Sequence, residues 1–188
     1  MGQRSPWVTF EANATGALNL LEAIRIQSPE CRFYQASSSE MFGAAKAPQN
    51  ETTMFYPRSP YAVSKLAAHW LSINYREAHD IFTAQGILFN HESPIRAVQF
   101  VTRKIFTNVA KLKLGLIESF ELGNLDAMRD WGHAKDFVRG MHLMLTHEVG
   151  DTFVLAIGQT NSVRIFLKKS LDTDQKSIDA RGKIYDCY

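Results

Sequence analysis

The chain has 188 residues, 45% of them hydrophobic, and its 21 basic and 19 acidic side chains leave a net charge of +2. That length builds one sizeable core, and so small a charge, spread along the sequence, excludes capture of nucleic acid by a bulk electrostatic field. Two distant cysteines, Cys31 and Cys187, exclude a disulfide scaffold and offer no metal-ligand spacing, no apolar run reaches the length of a membrane span, and a soluble protein of the reducing cytoplasm is expected.

Residues 11–27 place Leu18, Leu20, Leu21, Ile24 and Ile26 at helical spacing, with Asn13 or Thr15 able to cap the start. RFYQAS then reads as a short strand, and the serines that follow open a loop at its carboxyl end, where open α/β sheets build their sites. Pro48, Pro57 and Pro60 mark an irregular connection, and Ser59 before Pro60 reads as a cap with proline in the first helical turn. A helix is expected from near Tyr61 to about Ala78, and IFTAQGILFN after it as a buried strand. The alternation continues: helix over Phe100–Leu114, extended Ser119–Leu122, helix over Lys135–Leu145, extended Thr152–Ile157. Phe106, Leu112 and Leu114 read as core. The class is α/β with a mostly parallel sheet, and residues 170–188 read as a polar, loosely ordered tail.

Tyr61 and Lys65 lie four apart and share a helix face, so an ammonium can stabilise a phenolate and let the tyrosine act as a base. By itself that pair is a weak signal. It gains weight from Ser37, Ser38 and Ser39 at a strand end and from Glu40 directly after them. A hydroxyl, a carboxylate, a tyrosine and a lysine suit oxidation of an alcohol, removal of the proton beside the new carbonyl, and elimination of water. Ser37 and Ser39 read more simply as capping or turning the chain. His69, His133, His142 and His147 read as surface or structural residues, since no ligand geometry is visible. Trp70 and Trp131 read as core or subunit contact, because basic residues do not interleave with them as a nucleic-acid surface requires.

The strings RFYQASSSEMFG, ETTMFYPRSPYAVSKLAAHW, GILFNHESP, FVTRKI and GNLDAMRDWGHAKDFV resemble consecutive blocks of the GDP-mannose 4,6-dehydratase family of extended short-chain dehydrogenases/reductases, from about Val8 to about Phe166. The resemblance implies an incomplete Rossmann-like, doubly wound sheet: residues 1–90 as the carboxyl part of the dinucleotide-binding domain, 91–166 as mixed sugar-nucleotide-binding segments, and 167–188 as a divergent tail. It implies NADP as cofactor and GDP-mannose as substrate. Ser38, Glu40, Tyr61 and Lys65 would be catalytic, and Ser5, Tyr61, Lys65, His91 and Arg96 would face the cofactor. Ser38, Glu40, Asn90, Lys104 and Arg129 would face the substrate, an arginine suiting a diphosphate through its bidentate fork. His91 also reads as a hydrogen-bonded buried histidine.

Four departures qualify these expectations. Nothing matches the glycine-rich G-x-x-G-x-x-G turn, so the resemblance implies that about three strands and their helices are absent, leaving an exposed sheet edge and favouring a homo-oligomer or partner chain. Several residues seen in the family are lacking between FE and ANATG, where altered packing is expected. IRAVQF after ESP replaces an arginine-rich, glycine-containing run. Beyond Phe166 the resemblance stops. Besides a dehydratase of weak or no activity, the sequence therefore allows a non-catalytic chain that pairs with a complete homologue, and, with Glu40 and RDWGHAKDFV against it, a sugar-nucleotide epimerase.

Overall fold

The computed structural model describes residues 5–171, 176–178 and 184–186. In chain order these form α1 (Pro6–Phe10), a π-helical turn (Glu11–Thr15), α2 (Gly16–Gln27), β1 (Phe33–Ser38), a 3-10 turn (Ser39–Met41), α3 (Pro60–His79), β2 (Thr83–Leu88), β3 (Asn90–Glu92), α4 (Val101–Lys113), β4 (Met128–His133), α5 (Ala134–Thr146), β5 (Thr152–Leu155), β6 (Thr160–Ser162), α6 (Val163–Leu171), β7 (Lys176–Ile178) and β8 (Ile184–Asp186). The chain divides into two compact units, one of residues 1–89 with 134–156, the other of 90–133 with 157–188. Among the described residues no helix is long and apolar enough to cross a membrane.

The first unit is built on a parallel sheet in the order β1-β2-β5. Phe33 to Ser38 run in register with Thr83 to Leu88, and Gln85 to Leu88 with Thr152 to Leu155, so Ser38, Leu88 and Leu155 end together at one edge. β2 is buried along its whole length, as the central strand of a sheet covered on both faces must be. Its polar Thr83 and Gln85 are tolerated because they are bonded: Thr83 Oγ1 donates to Ser72 O at 2.8 Å, and Gln85 Oε1 accepts from Arg76 Nη1 at 2.7 Å. On the face carrying α2 and α3, Leu21, Tyr75 and Ile81 pack with Leu18, Ile24 and Phe33.

The sequence places the first helix too late. It begins at Pro6, whose ring suits the first turn, and Asn13 and Thr15 lie inside it rather than capping it. The π-helical turn spans Glu11–Thr15, between α1 and α2, and continues the helix through both.

The second unit pairs β3 with β4 in parallel and β4 with β6 antiparallel. Its core joins Ile105, Val109 and Leu112 of α4, Phe120, Leu122 and Leu125 of the following loop, and Val163, Leu167 and Leu171 of α6. Three expectations are corrected here. Ser119–Leu122 is not a strand: Phe120 and Leu122 alternate inward but fill the core without a ladder partner, and β4 takes the pairing. Phe106 on α4 and Leu114 just past its end are exposed, while Leu112 is buried. Residues 167–171 are the last turns of α6, with Leu167 fully buried, because Val163, Leu167 and Leu171 repeat every four residues on one face. Of the remainder of the expected tail, β7 and β8 form an antiparallel pair, and Cys187 lies outside the described residues.

Candidate active site

β1 ends in Ser37 and Ser38, and the chain turns at once into Ser39–Met41. Ser38 sits in extended backbone with its Oγ accepting from Glu40 N at 3.3 Å, so the hydroxyl and the acidic residue are held by one turn. Glu40 is exposed, whereas Met41 behind it is fully buried with Phe42 and Ile87, which anchors the turn. Gly43 continues the turn at φ +54, and a Cβ there would stand 1.9 Å from Tyr56 O, so only glycine lets the turn and the segment leading to α3 lie this close.

α3 starts as its sequence demands. Ser59 is extended, its Oγ accepts from Ala62 N at 3.1 Å, and Pro60 fills the first turn. This cap sets Tyr61 in the first turn and Lys65 one turn on, both half-buried. The Lys65 Nζ lies 5.8 Å from the centre of the Tyr61 ring and donates to Ala36 O of β1 at 3.1 Å. Burial holds the ammonium below the ordinary lysine range. One turn further, His69 is buried with its Nδ1 2.9 Å from Ser37 Oγ, and burial first, then the Arg76 charge, lowers it to about 4, so the ring is neutral. Ser37 is therefore a buried strand residue bonded to α3, not a turn former. Asn13 reaches from the π-helical turn, its Nδ2 donating to Ser64 Oγ at 3.0 Å, while Ser64 Oγ donates to Tyr61 O at 2.8 Å.

Ser38, Glu40, Tyr61 and Lys65 thus belong to one unit, with Ser5 exposed at the amino end of α1. Asn90, His91, Arg96, Lys104 and Arg129 belong to the other. Asn90 and His91 lie on β3, opposite Trp131 and Gly132 of β4. Arg96 pairs with Glu92 at 3.2 Å and stacks 3.6 Å over the Phe100 ring, and Thr102 Oγ1 donates to the same Glu92 oxygen at 2.7 Å. Lys104 Nζ donates to Glu121 O at 2.8 Å, and Arg129 Nη1 to Met128 O at 2.7 Å. Among the described residues no three His, Cys, Asp or Glu side chains gather as metal ligands. Sequence reasoning passed over the Ser37–His69 bond, although His69 follows Lys65 at helical spacing, and over Asp130, a buried carboxylate accepting from Ile157 N at 3.0 Å and Gly158 N at 2.7 Å.

A parallel sheet with a hydroxyl at its carboxyl edge, roofed by a Tyr-x-x-x-Lys helix, defines a Rossmann-fold protein of the short-chain dehydrogenase/reductase type. Solved structures agree: RMD from Pseudomonas aeruginosa complexed with NADPH superposes with a TM-score of 0.83 at 29% identity, over 89% of this chain and 58% of that one. The dTDP-glucose 4,6-dehydratase DesIV of Streptomyces venezuelae, with NAD and TYD bound, superposes with a TM-score of 0.80 at 22% identity, over 91% of this chain and 52% of that one. Residues 3–187 match the family GDP-mannose 4,6 dehydratase, and the chain belongs to it. The match passes Phe166, where the resemblance was expected to end. The GDP-mannose 4,6 dehydratase of Cricetulus griseus is 52% identical over 178 residues, 93% of this chain and 48% of that protein. The chain spans about half the length of the relatives it matches.

Proposed function

We propose that the chain carries the proton-transfer half of a GDP-mannose 4,6-dehydratase, acting in the cytoplasm on GDP-mannose to give GDP-4-keto-6-deoxymannose. The observation that supports this most is the Lys65 ammonium, set between the Tyr61 ring and Ala36 O at the end of the strand that bears Ser38. Ser38 would donate a hydrogen bond to the sugar 4-oxygen while Tyr61, its phenolate favoured by Lys65, takes the 4-hydroxyl proton. Glu40 would then remove the proton at C5 and deliver one to the departing 6-hydroxyl, so that water leaves.

Lys65 and Tyr61 suit a nicotinamide cofactor. An ammonium has three donors, and Ala36 uses one, leaving others for ribose hydroxyls. Bound NADP would supply a hydride acceptor at C4 and a hydride donor at C6, which makes the overall change redox-neutral. His91 and Arg96 are proposed for the cofactor, as is Ser5, and Asn90, Lys104 and Arg129 for the sugar nucleotide. NADPH is titrated by fluorescence against the parent, Tyr61→Phe and Lys65→Ala. Saturable binding weakened at least tenfold by Lys65→Ala, about 1.4 kcal/mol, is expected, followed by formation of the keto sugar from GDP-mannose. A folded parent that binds no NADPH sinks the catalytic reading.

A second reading is favoured by exposed apolar side chains of the first unit: Trp7, Leu20 and Val63, with Trp70 55% exposed. In it the chain acts without catalysis as a partner of a full-length dehydratase. Stoichiometric co-purification of the two at micromolar concentration supports that reading, and its absence removes it.

A further inference from the structure

β1 and α3 are joined by two polar rungs one helical turn apart. The outer rung is Lys65 Nζ to Ala36 O at 3.1 Å, and the inner is His69 Nδ1 to Ser37 Oγ at 2.9 Å. Ser37 and His69 are both buried, at 6% and 2% exposure, and neither side chain can exchange its partner for water. The imidazole is fixed from its other sides, with its ring 5.3 Å from Phe55 and 5.8 Å from Trp70, edge-on to each. A neutral imidazole offers one donor and one acceptor, and the serine hydroxyl complements whichever Nδ1 presents. Ser37 stands between Ala36, which holds Lys65, and Ser38, which holds the Glu40 turn.

We infer that His69 is a positioning residue of the candidate active site: through Ser37 it fixes the carboxyl end of β1 against α3, and so sets Lys65 under Tyr61 and Ser38 at the sheet edge. Its link to catalysis rests on the dehydratase reading, but its effect on Lys65 does not. A burial contact alone would be served by any ring of similar size. A positioning role needs the polar atom.

The test compares the parent with Ser37→Ala/His69→Phe, in which both partners become apolar and the fold is spared an unpaired buried group, and with His69→Asn, whose amide places a polar atom near the position of Nδ1. Lysine labelled with carbon-13 at Cε is titrated by NMR in the folded chain, and NADPH affinity is measured in parallel. In the double variant the Lys65 titration is expected to move up toward the ordinary lysine range and NADPH binding to weaken at least tenfold, with His69→Asn near the parent in both. A double variant whose Lys65 titrates as in the parent overturns the inference, as does His69→Asn behaving like the double variant although folded. If the parent binds no NADPH, the dehydratase reading falls while the Lys65 titration still decides this one.

Discussion

His69 has a second consequence at the scale of a single residue. Its folded value is lowered from 6.5 to about 4, so between those pH values the unfolded chain binds a proton that the folded chain refuses. Its contribution is whole above about pH 6.5 and is lost as pH falls toward 4, by up to about 3 kcal/mol at roughly 1.4 kcal/mol per unit. Urea unfolding at pH 7 and pH 5 should show the parent losing stability, and His69→Phe, with nothing to protonate there, should lose clearly less. Glu22, held at about 2 by its bonds to Arg25 and Tyr75, titrates in a lower window and does not obscure the comparison. The placement of Ser38 and Glu40 at a strand end and of Tyr61 and Lys65 on one helix was legible in the sequence, because local caps and periodicity set it. The His69–Ser37 bond was not, since 32 residues separate the partners and neither belongs to a motif that requires the other.

Among the elements, α3 was readable almost to the residue, because Ser59 and Pro60 are local signals whose physics acts within one turn. Ser59→Ala should cost about 1 kcal/mol in urea unfolding and Ser59→Asp should retain most of it, since either oxygen accepts the Ala62 N–H. Gly43→Ala should cost more, roughly 2 kcal/mol or above, because it combines a positive φ with an overlap on Tyr56 O that backbone cannot relieve; thermal unfolding of the purified variant measures it. The elements misread or passed over share a cause. The π-helical turn, the unpaired Ser119–Leu122 and the short β3, β4 and β6 are decided by register and partners, which hydrophobic periodicity does not encode.

Viewed as a whole, the chain keeps large apolar side chains in water, Trp7 being 79% exposed and Trp70 on α3 55% exposed. Such surface favours association. Light scattering at tens of micromolar should find dimers or larger species for the parent, and Trp70→Glu should shift the population toward monomer with its circular dichroism unchanged. A parent that is monomeric at that concentration removes the self-association reading. What the sequence by itself determined was the α/β class, the family, and the identity of the candidate chemical groups, because composition, local caps and long motif blocks act over a few residues. Only the tertiary structure decided that residues 134–156 return to the unit of β1, that Lys65 bonds Ala36 rather than standing free, and that His69 is buried against Ser37. These depend on contacts between segments distant in the chain, whose free energy exists only once the sheet has brought them together.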